Sequence, residues 1–313
     1  MLDVCLLGTA GMQPLPERRL SATLVRFGGR LILIDCGEGT QVGVRARGWG
    51  LRDLSAILLT HLHADHVLGL PGLLLTLGHS GKGADEPLLI CGPEPLLPAL
   101  RALLIFAPRL PFPIQPVLLA GGETVTIPGV EGLEIGCAPL AHEVPCLAYA
   151  LTVPRAPRFD PERARTLGVP VTDWSRLQRG ETVEAAGRLV APDAVLGPPR
   201  RGLRLVLATD TRPAPDLPAF VRGPDGAGAD LLIADAMYGD EEDKPKRWQA
   251  QHLTFAEAAA VARDGGARRL WLTHFSPALS DPAAYLDRAT AIFPATTVGR
   301  DGLTATLTFE DEG

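Results

Sequence analysis

The chain has 313 residues, enough for one large α/β domain or two smaller ones. Its 46% of hydrophobic and 21% of charged residues exclude a disordered chain, and its net charge of −6 excludes a globally basic nucleic-acid binder. The sequence has no apolar run of the roughly 20 residues needed to span a membrane, and its first residues lack a basic leader with a cleavage site, so we expect a cytoplasmic protein.

Apolar strand-like runs alternate with turns through the first half of the chain. They predict strands followed by loops rich in Gly, Asp or His within residues 2–11, 21–40 and 54–66. Shorter strands are predicted at residues 89–91, 125–127, 133–140 and 146–154. Helical patterns occur at residues 68–79, 94–106 and 255–265.

The second half contains one atypical segment and then returns to the first pattern. Residues 154–202 are rich in arginine and proline and have weak hydrophobic periodicity, which predicts a projecting arm or long insertion. Residues 203–211, 229–240 and 267–277 each place Asp or His directly after an apolar run. Polar side chains that directly follow an apolar strand lie at the carboxyl end of that strand, at the edge of the sheet. The alternation of strand-rich and helix-rich halves is compatible with a four-layer αββα sandwich.

The segment ILLTHLHADHVLGL, residues 57–70, holds three of the seven histidines of the chain. Alternation along a strand ending at Thr60 would place His61 and His63 on one side, with Asp65 and His66 at the following turn. Imidazole nitrogen and carboxylate oxygen suit zinc, and four ligands so close divide more easily between two ions than around one. The alternative is a solvated polar loop whose histidines form ordinary hydrogen bonds and bind no metal.

Other candidate ligands lie beside predicted strands and helices. His142, His252 and His274 each follow or open an ordered segment, whereas His79 is expected to be a surface residue at a helix end. Asp210 follows an apolar strand, where a carboxylate can bridge two metal ions or cap the next segment. The five cysteines are scattered without a C-x-x-C pair, which favours buried, reduced thiols.

These motifs together resemble the metallo-β-lactamase fold superfamily and, within it, the ribonuclease Z family of tRNA 3′-processing endonucleases. The resemblance covers nearly the whole chain and includes LIDCGEGTQ, THLHADHVLGLPG, PLAHEV, ATDTRP, HLTFAEAA and LTHFSP. It implies an α/β four-layer αββα sandwich with the arm inserted at 154–202 into a single domain, 1–313. It also implies two zinc ions per subunit, for which manganese or iron could substitute.

The resemblance assigns a role to each candidate residue. One zinc ion would take His61, His63 and His142, the other Asp65, His66 and His274, with Asp210 bridging the two. A hydroxide between the metals, oriented by Asp65, would attack phosphorus. His252 would protonate the leaving 3′ oxygen as general acid rather than bind metal, with Asp235 as its partner.

The chain departs from the family pattern in three places. The segment that usually reads His-Glu-Ala-Thr is ADAM here, so Asp235 stands where the family has the longer glutamate. The loop that senses the tRNA 3′ end keeps Arg18 but has Arg19 in place of asparagine. The tip of the arm, a tRNA-binding exosite in the family, lacks the Gly-Pro pair but retains Arg176 and Arg179 for backbone phosphates and Trp174 for stacking or for anchoring the arm.

Three functional hypotheses follow. The first is a zinc-dependent endoribonuclease that cuts precursor tRNA after the discriminator, leaving a 3′-hydroxyl on the tRNA and a 5′-phosphate on the trailer, and acting as the homodimer that the resemblance implies. The second is a hydrolase of the same fold that acts on a small phosphodiester or ester. The third is a non-catalytic RNA-binding or dimer-partner subunit, which the retention of all seven predicted metal ligands argues against.

Overall fold

A computed structural model of the chain describes residues 1–240, 242 and 251–309. These residues form two compact units, one of residues 1–152 and 203 onward, the other of Val153–Gly202. In the first unit up to residue 152 the strands are β1 (Leu2–Gly8), β2 (Ala22–Phe27), β3 (Arg30–Ile34), β4 (Leu54–Leu58), β5 (Leu88–Gly92), β6 (Ile114–Leu118), β7 (Thr124–Val125), β8 (Glu134–Pro139) and β9 (Leu147–Arg155, which continues into the second unit). The helices of this part are α1 (Thr40–Arg47), α2 (Ala64–Val67), α3 (Leu70–Gly78) and α4 (Leu96–Leu103).

The remaining elements follow in chain order. The second unit contains α5 (Pro161–Thr166), α6 (Trp174–Gln178), β10 (Val183–Ala185) and β11 (Arg188–Val190). The chain then returns to the first unit through β12 (Arg200–Ala208), α7 (Leu217–Arg222), β13 (Leu231–Asp235), α8 (Phe255–Asp264), β14 (Leu270–Thr273), α9 (Leu286–Thr290), β15 (Thr296–Val298) and β16 (Thr304–Leu307). Short 3-10 turns occupy Leu51–Asp53, Leu104–Phe106, Val171–Asp173, Pro192–Ala194 and Pro282–Tyr285.

Two seven-stranded sheets form the first unit. Their strand orders are β16-β1-β2-β3-β4-β5-β6 and β15-β14-β13-β12-β9-β8-β7. The run β3 to β6 is parallel, as is the run β12 to β15. Helices α1, α3 and α4 pack on the outer face of the first sheet, and α7, α8 and α9 on that of the second. This is the predicted α/β sandwich of the metallo-β-lactamase fold.

The buried side chains of the two sheets are mostly apolar. Tyr149 on β9 is fully buried, and its hydroxyl donates a hydrogen bond of 2.7 Å to the carbonyl of Leu59 after β4. The Leu147 N–H donates to the Thr60 carbonyl at 2.9 Å in the same region. These contacts fix the end of β4, and therefore the histidines that follow it, against the second sheet.

The three predicted helices are present, but the other helices of the described residues, α1 among them, were not predicted. Helices α3, α4 and α8 lie within the predicted segments. Helix α1 follows a predicted strand directly, between Gly39 and Gly48, which both have positive φ, at 83° and 70°. Glycine adopts this conformation without steric cost, so these two residues allow an eight-residue helix to begin and end sharply.

The second unit has a small core of its own, which the weak hydrophobic periodicity of this segment did not indicate. Its buried apolar side chains are Ala164, Val169, Leu177, Val183, Ala185, Val190 and Val195. The chain enters and leaves this unit at neighbouring positions, because Phe159 and Leu196 form an isolated antiparallel bridge. The second unit is therefore an insertion with its own core, and its two ends are held together at the base, the bridge between Phe159 and Leu196.

All five cysteines are free and buried, which confirms the prediction of reduced thiols. Burial raises the pKa of the Cys5 and Cys137 thiols to about 11 and that of Cys91 to about 12. No helix among the described residues is long and apolar enough to cross a membrane.

Candidate metal centre

The candidate residues follow the carboxyl ends of parallel strands in both sheets. His61 comes after β4, Asp210 after β12, and His274 after β14, while Asp235 is the last residue of β13. Carboxyl ends of parallel strands meet at one edge of a sheet, and the two sheets here bring these edges together. Strand β4 ends at Leu58, so the prediction that it runs to Thr60 was wrong. His61 and His63 are placed by the loop rather than by strand alternation.

Three histidines form the first donor group. The donor atoms of His61, His63 and His142 lie within 4.8 Å of one another. His142 Nε2 is 3.4 Å from His63 Nδ1. His61 is fully buried, whereas His63 and His142 are half-buried, so this group faces the open side of the centre.

The second donor group is more deeply buried. Asp65, His66 and His274 have donor atoms within 4.8 Å of one another, and all three residues are buried. His66 Nε2 is 3.2 Å from His274 Nε2 and 3.5 Å from Asp65 Oδ2. Helix α2 positions two members of this group, because Asp65 and His66 lie in this helix, whose N-cap is His63. His274 is placed by the end of β14.

Asp210 lies between the two groups. Its Oδ1 is 3.8 Å from His61 Nε2 and 3.3 Å from His274 Nε2, and its Oδ2 is 3.3 Å from His66 Nε2. The carboxylate thus contacts members of both groups, as a bridging ligand must. The structure therefore brings together all seven predicted ligands in the two predicted sets.

Neighbouring polar groups fix the orientation of the histidines. His66 Nδ1 donates to Asp35 Oδ2 at 2.9 Å, and Thr60 Oγ1 lies 3.1 Å from His61 Nδ1 and 3.0 Å from Asp35 Oδ1. These bonds leave Nε2 of His61 and of His66 directed at the centre. Histidine ligands in metal sites are commonly held in this way by a second hydrogen bond.

The electrostatics of the cluster suit a cation. Burial and the positive charge of His66 together lower the pKa of His61 to about 2, so His61 is neutral. Burial alone would raise the pKa of Asp210, but the charges of His274 and His66 hold it well below its ordinary value. His61 Nε2 is buried and makes no hydrogen bond with any described residue. A neutral imidazole with an unpaired nitrogen, beside ionised carboxylates, is a donor set that fits a divalent metal ion.

His252 lies at the edge of this cluster in a different environment. Its Nδ1 donates to Asp235 Oδ2 at 2.8 Å, and its ring stacks on that of His274 with centroids 5.2 Å apart. Burial lowers the pKa of His252, but the charge of Asp235 and its hydrogen bond outweigh this effect and raise it above the ordinary value. Asp235 is fully buried, and its shorter side chain does reach His252. Donor atoms of Asp210, His252 and His274 also lie within 4.8 Å of one another.

The two arginines of the N-terminal loop are engaged within the chain. Arg18 Nη2 donates to the Leu279 carbonyl. Arg19 donates through its backbone N–H to Asp301 Oδ2 at 2.8 Å, and its Nη1 is 3.4 Å from the same oxygen. Both side chains thus join the loop to other parts of the first unit.

In the second unit, the predicted RNA-binding arginines are paired with acidic neighbours. Arg176 Nε and Arg179 Nε donate to Glu181 at 3.0 and 3.1 Å, and Arg176 Nη1 also contacts Asp173 at 3.3 Å. Trp174 packs on Phe159, with ring centroids 5.2 Å apart, and its Nε1 donates to the Val169 carbonyl at 3.2 Å. Trp174 therefore stabilises the core of this unit, which favours the anchoring role over stacking on RNA.

Sequence reasoning missed three residues of the site. Asp35 lies in the LIDCGEGTQ motif, so its position after a strand was a usable signal. Glu143 Oε1 lies 3.4 Å from His63 Nε2, and the Met12 N–H donates to Asp65 Oδ2 at 2.7 Å. Neither contact has a local sequence signature, because each joins two segments that are distant in the chain.

Comparison with known proteins agrees with this geometry. A family model described as the metallo-beta-lactamase superfamily matches residues 16–148. Ribonuclease Z of Clostridium kluyveri is 43% identical over 311 residues, covering 99% of this chain and 100% of that protein. Among solved structures, the metallo-beta-lactamase fold protein YhfI from Bacillus subtilis has a TM-score of 0.69 at 18% identity, covering 97% of this chain and 98% of that one. The short form of human tRNase Z has a TM-score of 0.67 at 22% identity, covering 98% and 100%.

Proposed function

This chain belongs to the ribonuclease Z family of the metallo-beta-lactamase superfamily, and from that membership we propose that it is a metal-dependent endoribonuclease that removes the 3′ trailer from precursor tRNA. The cut falls after the discriminator nucleotide, leaving a 3′-hydroxyl on the tRNA and a 5′-phosphate on the trailer. The observation that carries the proposal is the pair of donor groups joined by Asp210 in a chain that matches such enzymes over its full length.

The centre is proposed to hold two zinc ions per subunit, with manganese or iron as possible substitutes. His61, His63 and His142 would hold one ion, Asp65, His66 and His274 the other, and Asp210 would contact both. Two such ions provide a water of low pKa as the nucleophile and neutralise negative charge on a phosphodiester. Support comes from the nitrogen and oxygen donors, their spacing and the unpaired Nε2 of His61.

The residues around the centre supply orientation and a proton. Asp35 and Thr60 hold the rings of His66 and His61 so that each directs Nε2 inward. Asp235 accepts the hydrogen bond from His252 Nδ1 and favours the protonated ring, so His252 holds a proton that it can donate from Nε2 to the leaving 3′ oxygen. The fixed contacts of Asp65 and Asp210 mean that little reorganisation is needed at the reacting phosphate.

The second unit is the proposed tRNA-binding arm. Arginines such as Arg158, Arg163 and Arg165 line one cavity of about 640 Å³ on this unit, together with Phe159 and Gly197. Positive side chains on a separately packed insertion suit contact with the phosphate backbone of a folded RNA. Arg176 and Arg179 both pair with Glu181, which partly neutralises their charge.

We also propose a homodimer and a cytoplasmic location. The apolar side chains of Ile105 and Phe106, after helix α4, are 72% and 71% exposed, and Leu97 on the same helix is 40% exposed, so this region offers surface for a second copy. Sedimentation should give twice the chain mass of 33.2 kDa. The five buried free thiols support a reducing compartment.

The decisive experiment incubates the zinc-loaded protein with an end-labelled precursor tRNA. We expect a single cut after the discriminator, with product ends verified by mass spectrometry. Asp65→Ala should abolish cleavage, whereas the matched control His79→Ala, an exposed histidine outside the centre, should not. Full metal content with no cleavage of tRNA, but turnover of bis(p-nitrophenyl) phosphate, would instead support a hydrolase of small phosphodiesters.

A further inference from the structure

Residues with left-handed backbone cluster at the metal centre. Among the described residues, five non-glycine residues have positive φ: Met12, Asp35, Ala186, Asp210 and His274. Asp210 and His274 are predicted ligands, Asp35 orients His66, and Met12 donates to Asp65. Left-handed backbone is unfavourable for residues with a Cβ, and such strain concentrates at functional sites. Met12 alone among these four has no role in the mechanism above.

The backbone around Met12 is fixed directly to the centre. The Met12 N–H donates to Asp65 Oδ2 at 2.7 Å, and the preceding Gly11 N–H donates to the Phe275 carbonyl at 3.0 Å. A Cβ on Gly11 would lie 2.6 Å from Cε1 of His274, so the chain at residue 11 passes immediately over that ring. With φ of 65°, Met12 follows at the margin of the second donor group.

The side chain of Met12 does not pack into the protein. Its exposure is 66%, although its own N–H contacts a buried carboxylate. Met237, whose Cε also lies close to Gly11, is by contrast buried at 2% exposure. The chain therefore places a large apolar side chain in solvent, next to the centre, at a position whose backbone favours glycine. Neither packing in the core nor the backbone conformation at this position favours a methionine.

We propose that the Met12 side chain contacts the base of a nucleotide flanking the scissile phosphate and so contributes to recognition of the RNA substrate. This assignment rests on the proposed function. The hydrogen bond to Asp65 holds the residue at the reacting phosphate, and the unbranched thioether offers a flexible apolar surface. Such a side chain packs on any base, because every base has an apolar π-face. Met12 is thus a substrate contact that strengthens binding without selecting one base.

The test replaces Met12 by glycine, the residue that best tolerates the positive φ at this position. Met12→Gly keeps the N–H that Asp65 accepts and removes only the side chain, while Met12→Leu keeps an apolar side chain of similar size. We expect KM for precursor tRNA to rise about three- to tenfold in Met12→Gly and less than twofold in Met12→Leu. Metal content and the thermal unfolding midpoint should stay at the native values in both variants.

Abasic substrates separate a base contact from a structural effect. With precursor tRNA lacking the bases on both sides of the cleavage site, the native chain and Met12→Gly should have equal KM. A difference that persists on the abasic substrate, or Met12→Gly indistinguishable from the native chain on intact precursor, would overturn the assignment. Loss of metal from Met12→Gly would also overturn it, in favour of a purely structural role. Failure of the native chain itself to cleave precursor tRNA would refute the proposed function, and this assignment with it.

Discussion

Asp235 and His252 are joined by one side-chain contact that bears on the role proposed for His252. The 2.8 Å hydrogen bond occupies Nδ1 of His252 and places a buried negative charge beside the ring. The charge of Asp235 and this hydrogen bond favour the protonated ring, which suits the general acid proposed for His252. Asp235 thus reaches His252 although its side chain is shorter than that of a glutamate, which the sequence alone did not establish.

Replacing His252 tests this role directly. His252→Ala should lower kcat on precursor tRNA by about 10²- to 10⁴-fold, because a general acid is lost, while the metal content stays unchanged. Metal analysis of the purified variant and single-turnover kinetics measure the two effects, with His79→Ala as the control. Loss of metal together with activity would identify His252 as a ligand instead.

The pH dependence of the reaction follows from the same pair. Asp235 raises the pKa of His252, so the protonated ring persists to higher pH and activity falls only as pH rises through that raised pKa. Asp235→Asn removes the charge, so the alkaline fall in kcat/KM should begin at lower pH. Asp235→Glu should restore the native profile. An unchanged alkaline limb in Asp235→Asn would show that another group titrates there.

At the scale of single elements, helix α8 begins three residues after His252 and fixes where that residue lies. Thr254 and Glu257 form a reciprocal capping box: Glu257 N–H donates to Thr254 Oγ1 at 3.2 Å, and Thr254 N–H donates to Glu257 Oε2 at 2.9 Å. Both bonds satisfy donors that the start of a helix leaves unpaired.

Removing the cap should therefore destabilise the first unit. Thr254→Ala is expected to lower the free energy of unfolding by about 1 kcal/mol, and Thr254→Ser to retain most of it. Urea unfolding followed by circular dichroism measures both. Equal midpoints for the native chain and Thr254→Ala would mean that packing of α8, rather than its cap, determines where the helix begins.

The sequence was most informative where a strand ends in a polar residue. The positions of Asp210, Asp235 and His274 were predictable because an apolar run sets the strand and the next residues must lie at its carboxyl end. Contacts between distant segments, such as Met12 with Asp65, were not predictable, since no local pattern records them. The core of Val153–Gly202 was also missed, because its apolar residues are spread over short elements without a regular period.

At the scale of the whole molecule, the second unit can be removed to test whether it binds tRNA, because its two ends lie side by side. Phe159 and Leu196 are bridged, and the Asp160 N–H donates to the Val195 carbonyl at 2.8 Å. Residues 160–195 can therefore be replaced by an Asn-Gly turn, which suits a tight antiparallel connection.

This deletion should raise KM for precursor tRNA at least tenfold and weaken its dependence on salt, because phosphate contacts are lost. Turnover of bis(p-nitrophenyl) phosphate should persist, and thermal unfolding should show that the first unit still folds. Equal losses on both substrates would argue against a tRNA-binding arm.

Metal removal should affect stability as well as activity. The donors of both groups are held close together, so a bound ion stabilises the folded state by about 2.7 kcal/mol at a concentration 100 times its dissociation constant. Chelation should lower the thermal midpoint and abolish cleavage, and two equivalents of zinc should restore both. Restoration by a single equivalent would contradict the two-ion proposal.

The burial of every cysteine has a practical consequence for measuring motion. Thiol reagents attack thiolates, and these five thiols are both enclosed and hard to ionise, so the native chain should stay unlabelled by maleimides. A cysteine introduced at Val171 or Leu189, which are 70% and 77% exposed in the second unit, becomes a unique attachment point for a fluorophore. Energy transfer from that dye to one on the RNA would report, in real time and without removing any native cysteine, whether the insertion approaches the RNA.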